Sequence, residues 1–344
     1  MSKNSGKKFQ HAPYGDLIDL HIHVGGAVAP HILWSIAHKQ GLRLPFKNFW
    51  RFREAITVNP KKIKSLEDYL SIFHRWTEKI QSSPGAIERS VYEIMTKEYR
   101  ASNVTAIELR FNPMKRNVGG EKDLDHIIHA ALRGLDQACL EYGIKACFIF
   151  CLAREFTIEQ NRIIVEKAIK YQNRGVTAID LAGLESHNLE MQKEMAKAYA
   201  DLFNMAREGG LKATVHTGET RATGGEGILA AIKYLKPDRI GHGIWAAKHS
   251  DALDAVLEND VHLELNPSSN LCTHAVKDLK ELKEIIHIFL DKGIRFSINT
   301  DGPYLLNTHL RGEFDLLVKH KILTLEQVKD CLKIAREDSF IPDL

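Results

Sequence analysis

The sequence predicts an α/β fold, a (β/α)8 TIM barrel with a helical insertion after the first strand. Three observations support this prediction. Short β-branched runs alternate eight times with longer helix-like segments. Several of these runs, such as Ala213–Thr217 and Arg295–Thr300, are apolar on both faces, as expected for parallel strands covered by helices. The length of 344 residues suits such a barrel, with insertions, as one domain.

The strands and helices follow from the spacing of apolar residues and from glycines that end helices. The predicted strands are Leu17–Val24, Val104–Asn112, Lys145–Ala153, Val176–Gly183, Lys212–Thr217, Arg239–Ile244, Val261–Asn266 and Ile294–Thr300. The predicted helices between them include Leu124–Tyr142, Glu159–Gln172, Glu190–Glu208 and Leu279–Asp291. Four glycines are expected to end helices in the left-handed conformation, Gly143, Gly175, Gly209 and Gly293.

A long segment separates the first two predicted strands. It has about eighty residues and includes the aromatic run Phe46–Trp50 and the helix-like run Ser65–Ile80. A segment that follows a barrel strand lies at the mouth where such barrels place their active sites. We therefore interpret it as a lid or pocket wall, the alternative being a helical layer that only packs. The chain is otherwise one domain, 1–344, with a flexible N-terminal tail over residues 1–14.

Composition excludes several classes of protein. The net charge is 47 − 44 = +3, too balanced to indicate a nucleic-acid or membrane-surface partner. The cysteines number five and include no C-x-x-C pair, which argues against a disulfide framework. We see no secretory signal and no apolar run of the ~18 residues that a membrane helix needs. The sequence predicts a cytoplasmic protein.

Polar side chains stand where several predicted strands end. His21 and His23 are two residues apart on the first strand, so both point to the same side. His216, His242 and Asp301 stand at the ends of strands five, six and eight. Each motif alone is common, but all converge on the catalytic rim of a barrel. Three histidines and a carboxylate suit Zn²⁺, with cobalt, iron or nickel as alternatives, and a position left open for water makes such a site catalytic.

Six short motifs, in this order and spacing, resemble the adenosine deaminase branch of the amidohydrolase superfamily. They are His21–His23 with Gly26 and Ala27, Ile179–Gly183, His216–Glu219, Arg239–Gly243, Glu264–Asn270 and Ser297–Asp301. Together they run from residue 19 to about residue 303. The resemblance implies a hydrolytic deaminase that acts on a 6-aminopurine, such as adenosine, and releases ammonia.

The resemblance also implies roles for individual residues. One Zn²⁺ per chain would be held by four ligands, His21, His23, His216 and Asp301. Glu219 would protonate the ring nitrogen beside the attacked carbon, and its pKa must be raised for this. His242 would hold and help activate the attacking water. The backbone N–H of Gly183 would bind a second ring nitrogen.

Two positions depart from the family pattern. Gly25 and Gly302 stand where the family usually has aspartates that contact the sugar hydroxyl and the five-membered ring. Losing such a hydrogen bond typically costs ~1–3 kcal/mol. We expect both glycines to belong to the substrate-binding site. Their small size would make room for a different substituent at the sugar end of the substrate. The basic segment Arg110–Arg116 would meet an anionic substituent or else form a solvated loop.

The substrate is therefore predicted to be a small aminopurine, with alternatives. One alternative is a modified adenine derivative, for example a 5′-modified adenosine or aminodeoxyfutalosine. A second is another amidohydrolase reaction, but relatives of that kind often use a bridging lysine, and no lysine ends strand four. A third is a non-catalytic binding protein, which predicts a missing ligand or acid, whereas all are present. The oligomeric state stays open.

Overall fold

A computed structural model of the chain describes residues 13–59 and 62–344. In it, eight parallel strands pair in sequence order to form one curved sheet. The strands are β1 (Leu17–His23), β2 (Val104–Phe111), β3 (Lys145–Ala153), β4 (Val176–Ala182), β5 (Lys212–Thr217), β6 (Arg239–His242), β7 (His262–Leu265) and β8 (Phe296–Ile298). Each lies within its predicted range, and the prediction of a (β/α)8 barrel is confirmed.

The barrel is closed by backbone contacts between the two terminal strand ends. The amide of Asp301 donates to the carbonyl of His21 over 2.8 Å, and the amide of His23 donates to the carbonyl of Asp301 over 2.7 Å. Ile22 and Asp301 form a parallel bridge at this point. Closure therefore brings two of the predicted histidine ligands to the predicted aspartate ligand.

Helices surround the barrel and fill the connection between β1 and β2. They are α1 (Val24–Ala27), α2 (Pro30–Lys39), α3 (Phe49–Ile56), α4 (Leu66–Ile72), α5 (Glu78–Ile80), α6 (Pro84–Ser102), α7 (Leu124–Tyr142), α8 (Ile158–Lys170), α9 (Lys193–Glu208), α10 (Gly224–Ala230), α11 (Ser250–Glu258), α12 (Pro267–Cys272), α13 (Leu279–Lys292), α14 (Leu310–Lys319) and α15 (Leu325–Glu337). A π-helical turn, Phe73–Thr77, joins α4 to α5. Because α6 packs on α7 and β2 as a barrel helix, the insertion consists of α1 to α5. None of the described helices is both long and apolar enough to cross a bilayer.

Glycines end several helices as predicted, with one exception. Gly143, Gly175 and Gly293 have φ of 68°, 104° and 70°, the left-handed region in which a residue without a Cβ is favoured. Gly209 was expected to do the same and does not, because its φ is −78°. The chain turns one residue later, at Gly210, whose φ is 81°.

The predicted N-terminal tail ends earlier than residue 14. Residues 1–12 of that tail lie outside the described residues. Tyr14, by contrast, is buried, with its ring 5.5 Å from that of Phe314 and its hydroxyl donating to Asp315 over 2.8 Å. Tyr14 therefore belongs to the packed domain. The five cysteines are free thiols, as predicted.

Replacing Gly134 by alanine is expected to destabilise the protein by about 1–3 kcal/mol. A Cβ on Gly134 of α7 would stand 2.3 Å from the carbonyl oxygen of Glu88 on α6, too close for either backbone to remain in place. Urea unfolding measures the loss. Gly85→Ala is the matched control, because a Cβ at that position of α6 would meet no atom within 4 Å and alanine favours helix. Equal stabilities for the two variants would contradict this account of the α6–α7 contact.

Candidate metal centre and active site

The carboxyl ends of the strands open into a cavity of about 750 Å³. One wall comes from the insertion and its π-helical turn, through the side chains of Leu66, Tyr69, Leu70, Phe73, His74 and Glu78. The other walls include predicted site residues from the strand ends, namely His23, Gly183, His216, Glu219, His242 and Asp301. The insertion is thus a pocket wall, and the interpretation as a layer that only packs is wrong.

Metal-ligating atoms converge at one place in this cavity. The Nε2 atoms of His23 and His216 lie 3.1 Å apart. Asp301 Oδ1 lies 3.6 Å from His23 Nε2 and 3.9 Å from His21 Nε2. His21, His216 and His242 also offer ring nitrogens within 4.8 Å of one another. The four predicted ligands are therefore brought together, with His242 beside them.

Two buried carboxylates orient the histidine rings. His21 Nδ1 donates to Glu264 Oε2 over 2.7 Å, and His216 Nδ1 donates to Asp180 Oδ1 over 3.0 Å. A hydrogen on Nδ1 leaves the lone pair of Nε2 free to bind a cation. His21 Nε2 is buried and has no hydrogen-bond partner among the described residues.

Arg110 keeps these two carboxylates ionised inside the barrel. Its guanidinium donates to Asp180 over 3.1 Å and to Glu264 over 2.9 Å, and all three side chains are fully buried. Burial alone would raise both pKa values. His216 and Arg110 instead lower the pKa of Asp180 below its ordinary range, and Arg110 and Arg239 lower the pKa of Glu264 to about 2.

The side chain of Asp301 is also fixed by its surroundings. Ser269 Oγ donates to Asp301 Oδ2 over 2.6 Å, which leaves Oδ1 facing the histidines. Asp301 and His242 have φ of 60° and 64°, a left-handed conformation that costs free energy in residues with a side chain. Such strain is typical of functional sites, where the surrounding structure enforces it.

This set of donors fits a divalent cation. Burial lowers the pKa of His21 and of His23 well below the ordinary value, so both rings are neutral. His23 Nε2 and His216 Nε2, 3.1 Å apart with Asp301 Oδ1 3.6 Å from the former, are spaced as ligands of one cation would be. Burial also raises the pKa of Asp301, so its carboxylate form needs a positive partner. Neutral imidazoles with one carboxylate are donors that suit Zn²⁺ and related ions.

Glu219 and His242 form a second pair beside this cluster. Glu219 Oε2 lies 3.6 Å from His242 Nε2, whereas Glu219 Oε1 is buried and has no partner among the described residues. Burial, together with Glu185 and Asp301, raises the pKa of Glu219 well above its ordinary value, which favours the protonated form of its carboxyl. Asn270 Nδ2 donates to His242 Nδ1 over 2.9 Å, which places the hydrogen of the neutral imidazole on Nε2.

The two glycines that depart from the family pattern do not open space, contrary to expectation. A Cβ on Gly302 would stand 2.4 Å from the hydroxyl of Tyr69. A Cβ on Gly25 would stand 2.7 Å from a ring carbon of Phe73. Aromatic side chains of the insertion occupy the volume that larger residues at 25 and 302 would need. Gly183, with φ of 99°, also lines the cavity, and there a Cβ would stand 2.3 Å from Glu155 Oε2.

The segment Arg110–Arg116 is not a solvated loop. Arg110 is on β2, and both of its terminal nitrogens are held inside the barrel by Asp180, Glu264 and the carbonyl of Leu20, so they are not available to a substrate anion. Residues Pro113–Arg116 form a 3₁₀ turn in which Arg116 is only 2 % exposed. Lys115 and Arg116 both line the cavity.

The sequence comparison agrees with this geometry. The family model for adenosine deaminase matches residues 17–344. The chain belongs to the adenosine deaminase family. It is 32 % identical over 325 residues to the adenosine deaminase of Clostridium kluyveri, a match that covers 94 % of this chain and 88 % of that protein. This membership makes the chain a hydrolytic deaminase of the adenine or adenosine type.

Solved structures of similar fold include an adenine deaminase and an amidohydrolase. The adenine deaminase of Arthrobacter aurescens superposes with a TM-score of 0.83 at 21 % identity, over 96 % of this chain and 95 % of that one. An amidohydrolase from Burkholderia ambifaria with bound Zn superposes with a TM-score of 0.81 at 18 % identity, over 99 % and 91 % of the two chains. At these identities the likeness establishes the fold alone.

Several side chains that shape the site were not predicted from the sequence to have a role in it. Asp180 and Glu264 stand in motifs that the sequence singles out, and each is the one carboxylate on a mostly apolar strand. That signal marks an inward-facing buried charge, which needs a partner. Tyr69 and Phe73 gave no comparable signal, because their place depends on how the insertion folds over the barrel.

Proposed function

We propose that this chain is a zinc-dependent hydrolytic deaminase of 6-aminopurines, with adenosine-type nucleosides as the substrate class. The observation that carries the proposal is the convergence of three imidazoles and the Asp301 carboxylate next to Glu219, whose raised pKa favours the protonated carboxyl. Zn²⁺ would be held by His21, His23, His216 and Asp301. When bound, the cation supplies a water nucleophile that is active near neutral pH.

Glu219 is proposed as the proton donor to the ring. An aminopurine is a poor electrophile, because attack on the carbon that bears the amino group costs its aromaticity. A proton delivered to the adjacent ring nitrogen removes electron density from that carbon. Glu219 suits this role because it lines the cavity, its Oε1 has no hydrogen-bond partner among the described residues, and its raised pKa favours the protonated carboxyl.

His242 is proposed to hold the attacking oxygen. With Nδ1 occupied by Asn270, its Nε2–H is directed into the cavity, 3.6 Å from Glu219. A fixed donor at this position stabilises negative charge that develops on oxygen as the carbon becomes tetrahedral. The backbone N–H of Gly183 is proposed to bind a second ring nitrogen, and the ring would lie between Gly183 and the metal ligands. Gly25 and Gly302 are proposed to lie at the substrate without making the hydrogen bonds that aspartates make at these positions in the family.

An ammonia-release screen with metal analysis tests the proposal. The zinc-loaded enzyme is expected to release ammonia from adenosine-type substrates and to contain one metal ion per chain. Removing the metal with a chelator should lower the rate by on the order of 10³-fold, because activation of the nucleophile is lost, and added Zn²⁺ should restore it. Chelation should be slower at high pH, because the histidine ligands compete better for the ion when deprotonated.

Two results would contradict the proposal. Full ammonia release by the metal-free enzyme would show that the reaction does not need the cation. Hydrolysis of amides or esters, with no ammonia from any aminopurine, would favour another amidohydrolase reaction on this site. Two metal ions per chain would point in the same direction, although β4 ends without a lysine to bridge them.

A further inference from the structure

A second polar cluster lines the cavity, apart from the metal ligands. It consists of Asn112, Lys115 and Arg116, which follow β2 in sequence. The point where a Cβ on Gly25 would stand is 3.3 Å from Arg116 Nη2 and 2.7 Å from a Phe73 ring carbon. Phe73 in turn packs edge-on against His23, with ring centroids 6.4 Å apart. The guanidinium therefore lies one aromatic ring away from the metal cluster.

Two hydrogen-bond donors of this cluster are buried without acceptors. Arg116 Nε and Asn112 Nδ2 have no partner among the described residues. The side chain of Arg116 is 2 % exposed and that of Asn112 is similarly buried, so bulk water does not satisfy them. Unsatisfied buried donors cost free energy and are rare in folded proteins unless a ligand or water completes them.

The acidic neighbours of the cluster do not use up its donors. Arg116 Nη1 lies 3.2 Å from Glu78 Oε1, and Lys115 Nζ lies 2.6 Å from Glu155 Oε1. Glu78 is also bonded to His74 over 2.8 Å. Each carboxylate thus meets its cation through one nitrogen. Arg116 Nε, Arg116 Nη2 and the Asn112 amide remain for a ligand that brings acceptors.

We propose that Asn112, Lys115 and Arg116 form a subsite for an anionic substituent on the substrate. The inference rests on the proposed function, because the carbon that loses its amino group must face Glu219 and the metal ligands. Whatever the ring carries on its other side then faces the remaining polar wall of the cavity. Oxygens that only accept, as in phosphate or carboxylate, match a guanidinium and an amide that only have donors to offer.

Kinetics with matched substrates test this subsite. The zinc-loaded enzyme is assayed with adenosine, adenosine 5′-monophosphate and adenosine 5′-carboxylate. At least one anion is expected to exceed adenosine in kcat/KM by about ten- to hundredfold, the worth of one or two charge-assisted hydrogen bonds. The better anion identifies phosphate or carboxylate as the ligand. Adenosine equal to or better than both anions would overturn the inference.

A binding measurement separates this inference from the proposed function. Dissociation constants are measured by calorimetry for inosine, inosine 5′-monophosphate and inosine 5′-carboxylate, none of which carries an amino group to lose. Tighter binding of an anion without ammonia release from any substrate would uphold the subsite and reject the deaminase. Ammonia release without any preference for an anion, in rate or in binding, would reject the subsite alone.

Variants assign the preference to the named residues. Arg116→Gln is expected to reduce the anion-over-adenosine ratio at least about tenfold and to change kcat/KM for adenosine less. Because Glu78 loses its partner in that variant, the double variant Glu78→Gln/Arg116→Gln keeps a neutral hydrogen-bonding pair. Lys79→Gln is the matched control, since Lys79 stands on the same helix as Glu78 but is exposed and does not line the cavity. An unchanged ratio in both Arg116 variants would overturn the assignment.

Discussion

Glu219→Gln is expected to lower kcat by about 10²–10⁴-fold, with zinc content and binding of the deaminated product retained. Glutamine keeps the shape of the side chain and its hydrogen-bond donor, but it has no proton to give to the ring nitrogen. Since the amide occupies the same volume as the carboxyl at this buried position, 3 % exposed, the fold should tolerate the substitution. Stopped-flow or steady-state ammonia release measures the loss, and elemental analysis checks the metal.

Glu226→Gln is the matched control for this variant. Glu226 is a glutamate in α10, seven residues further along the same connection between β5 and β6, and it is exposed and paired with His249. Its replacement should leave kcat unchanged. Turnover of the Glu219 variant within about tenfold of the parent enzyme would show that the ring nitrogen receives its proton from another group.

The barrel and the convergence of the proposed metal ligands were predictable because their signal is local. Each strand is a short β-branched run, and alternation along β1 places His21 and His23 on one side. Parallel strands of a closed barrel end at the same rim, so the position of a residue at a strand end is enough to bring His216 and Asp301 to them. No detail of side-chain packing enters that inference.

The walls of the pocket were not predictable, because they depend on contacts between distant segments. Tyr69 and Phe73 fill the space beside Gly302 and Gly25, so the absence of two aspartates did not enlarge the cavity. That outcome depends on how the π-helical turn of the insertion packs against the mouth of the barrel. A glycine in a motif identifies the side chain that is absent. It does not identify the neighbouring side chain that fills the space.

The chemistry of the basic segment after β2 was undecided for a related reason. Arg110 and Arg116 are six residues apart and look equivalent in sequence, and both reach the cavity, yet Arg110 is held by Asp180 and Glu264 inside the barrel whereas Arg116 meets only Glu78 of the insertion among the described carboxylates. Side chains alternate between the two faces only within a strand. The sequence does not show where the strand ends, so it does not show whether a given residue still follows this alternation. Only the observed end of β2 at Phe111 separates the structural arginine from the one available to a ligand.

Arg110→Met is expected to destabilise the protein by about 3–5 kcal/mol, since it leaves buried charges without their partner. Arg110 donates to Asp180, to Glu264 and to the carbonyl of Leu20, and all of its side chain is buried. Methionine has a similar apolar length but no donor. Asp180 would then keep His216 and the weak thiol donor of Cys151, and Glu264 would keep Arg239, His21 and the hydroxyl of Thr214. Guanidinium chloride unfolding of the zinc-loaded protein measures the loss.

Metal affinity should fall in the same variant, by about 10–100-fold, because the carboxylates that orient His21 and His216 lose their own anchor. Arg133→Met is the control, since Arg133 pairs with Glu88 on the surface and such a pair contributes at most about 1 kcal/mol. Arg110→Lys serves if the methionine variant does not fold. A lysine keeps the charge but lacks the fork that reaches both carboxylates, so an intermediate loss is expected. Unchanged stability and unchanged zinc affinity in both Arg110 variants would mean that Asp180 and Glu264 hold the histidines without help from the barrel interior.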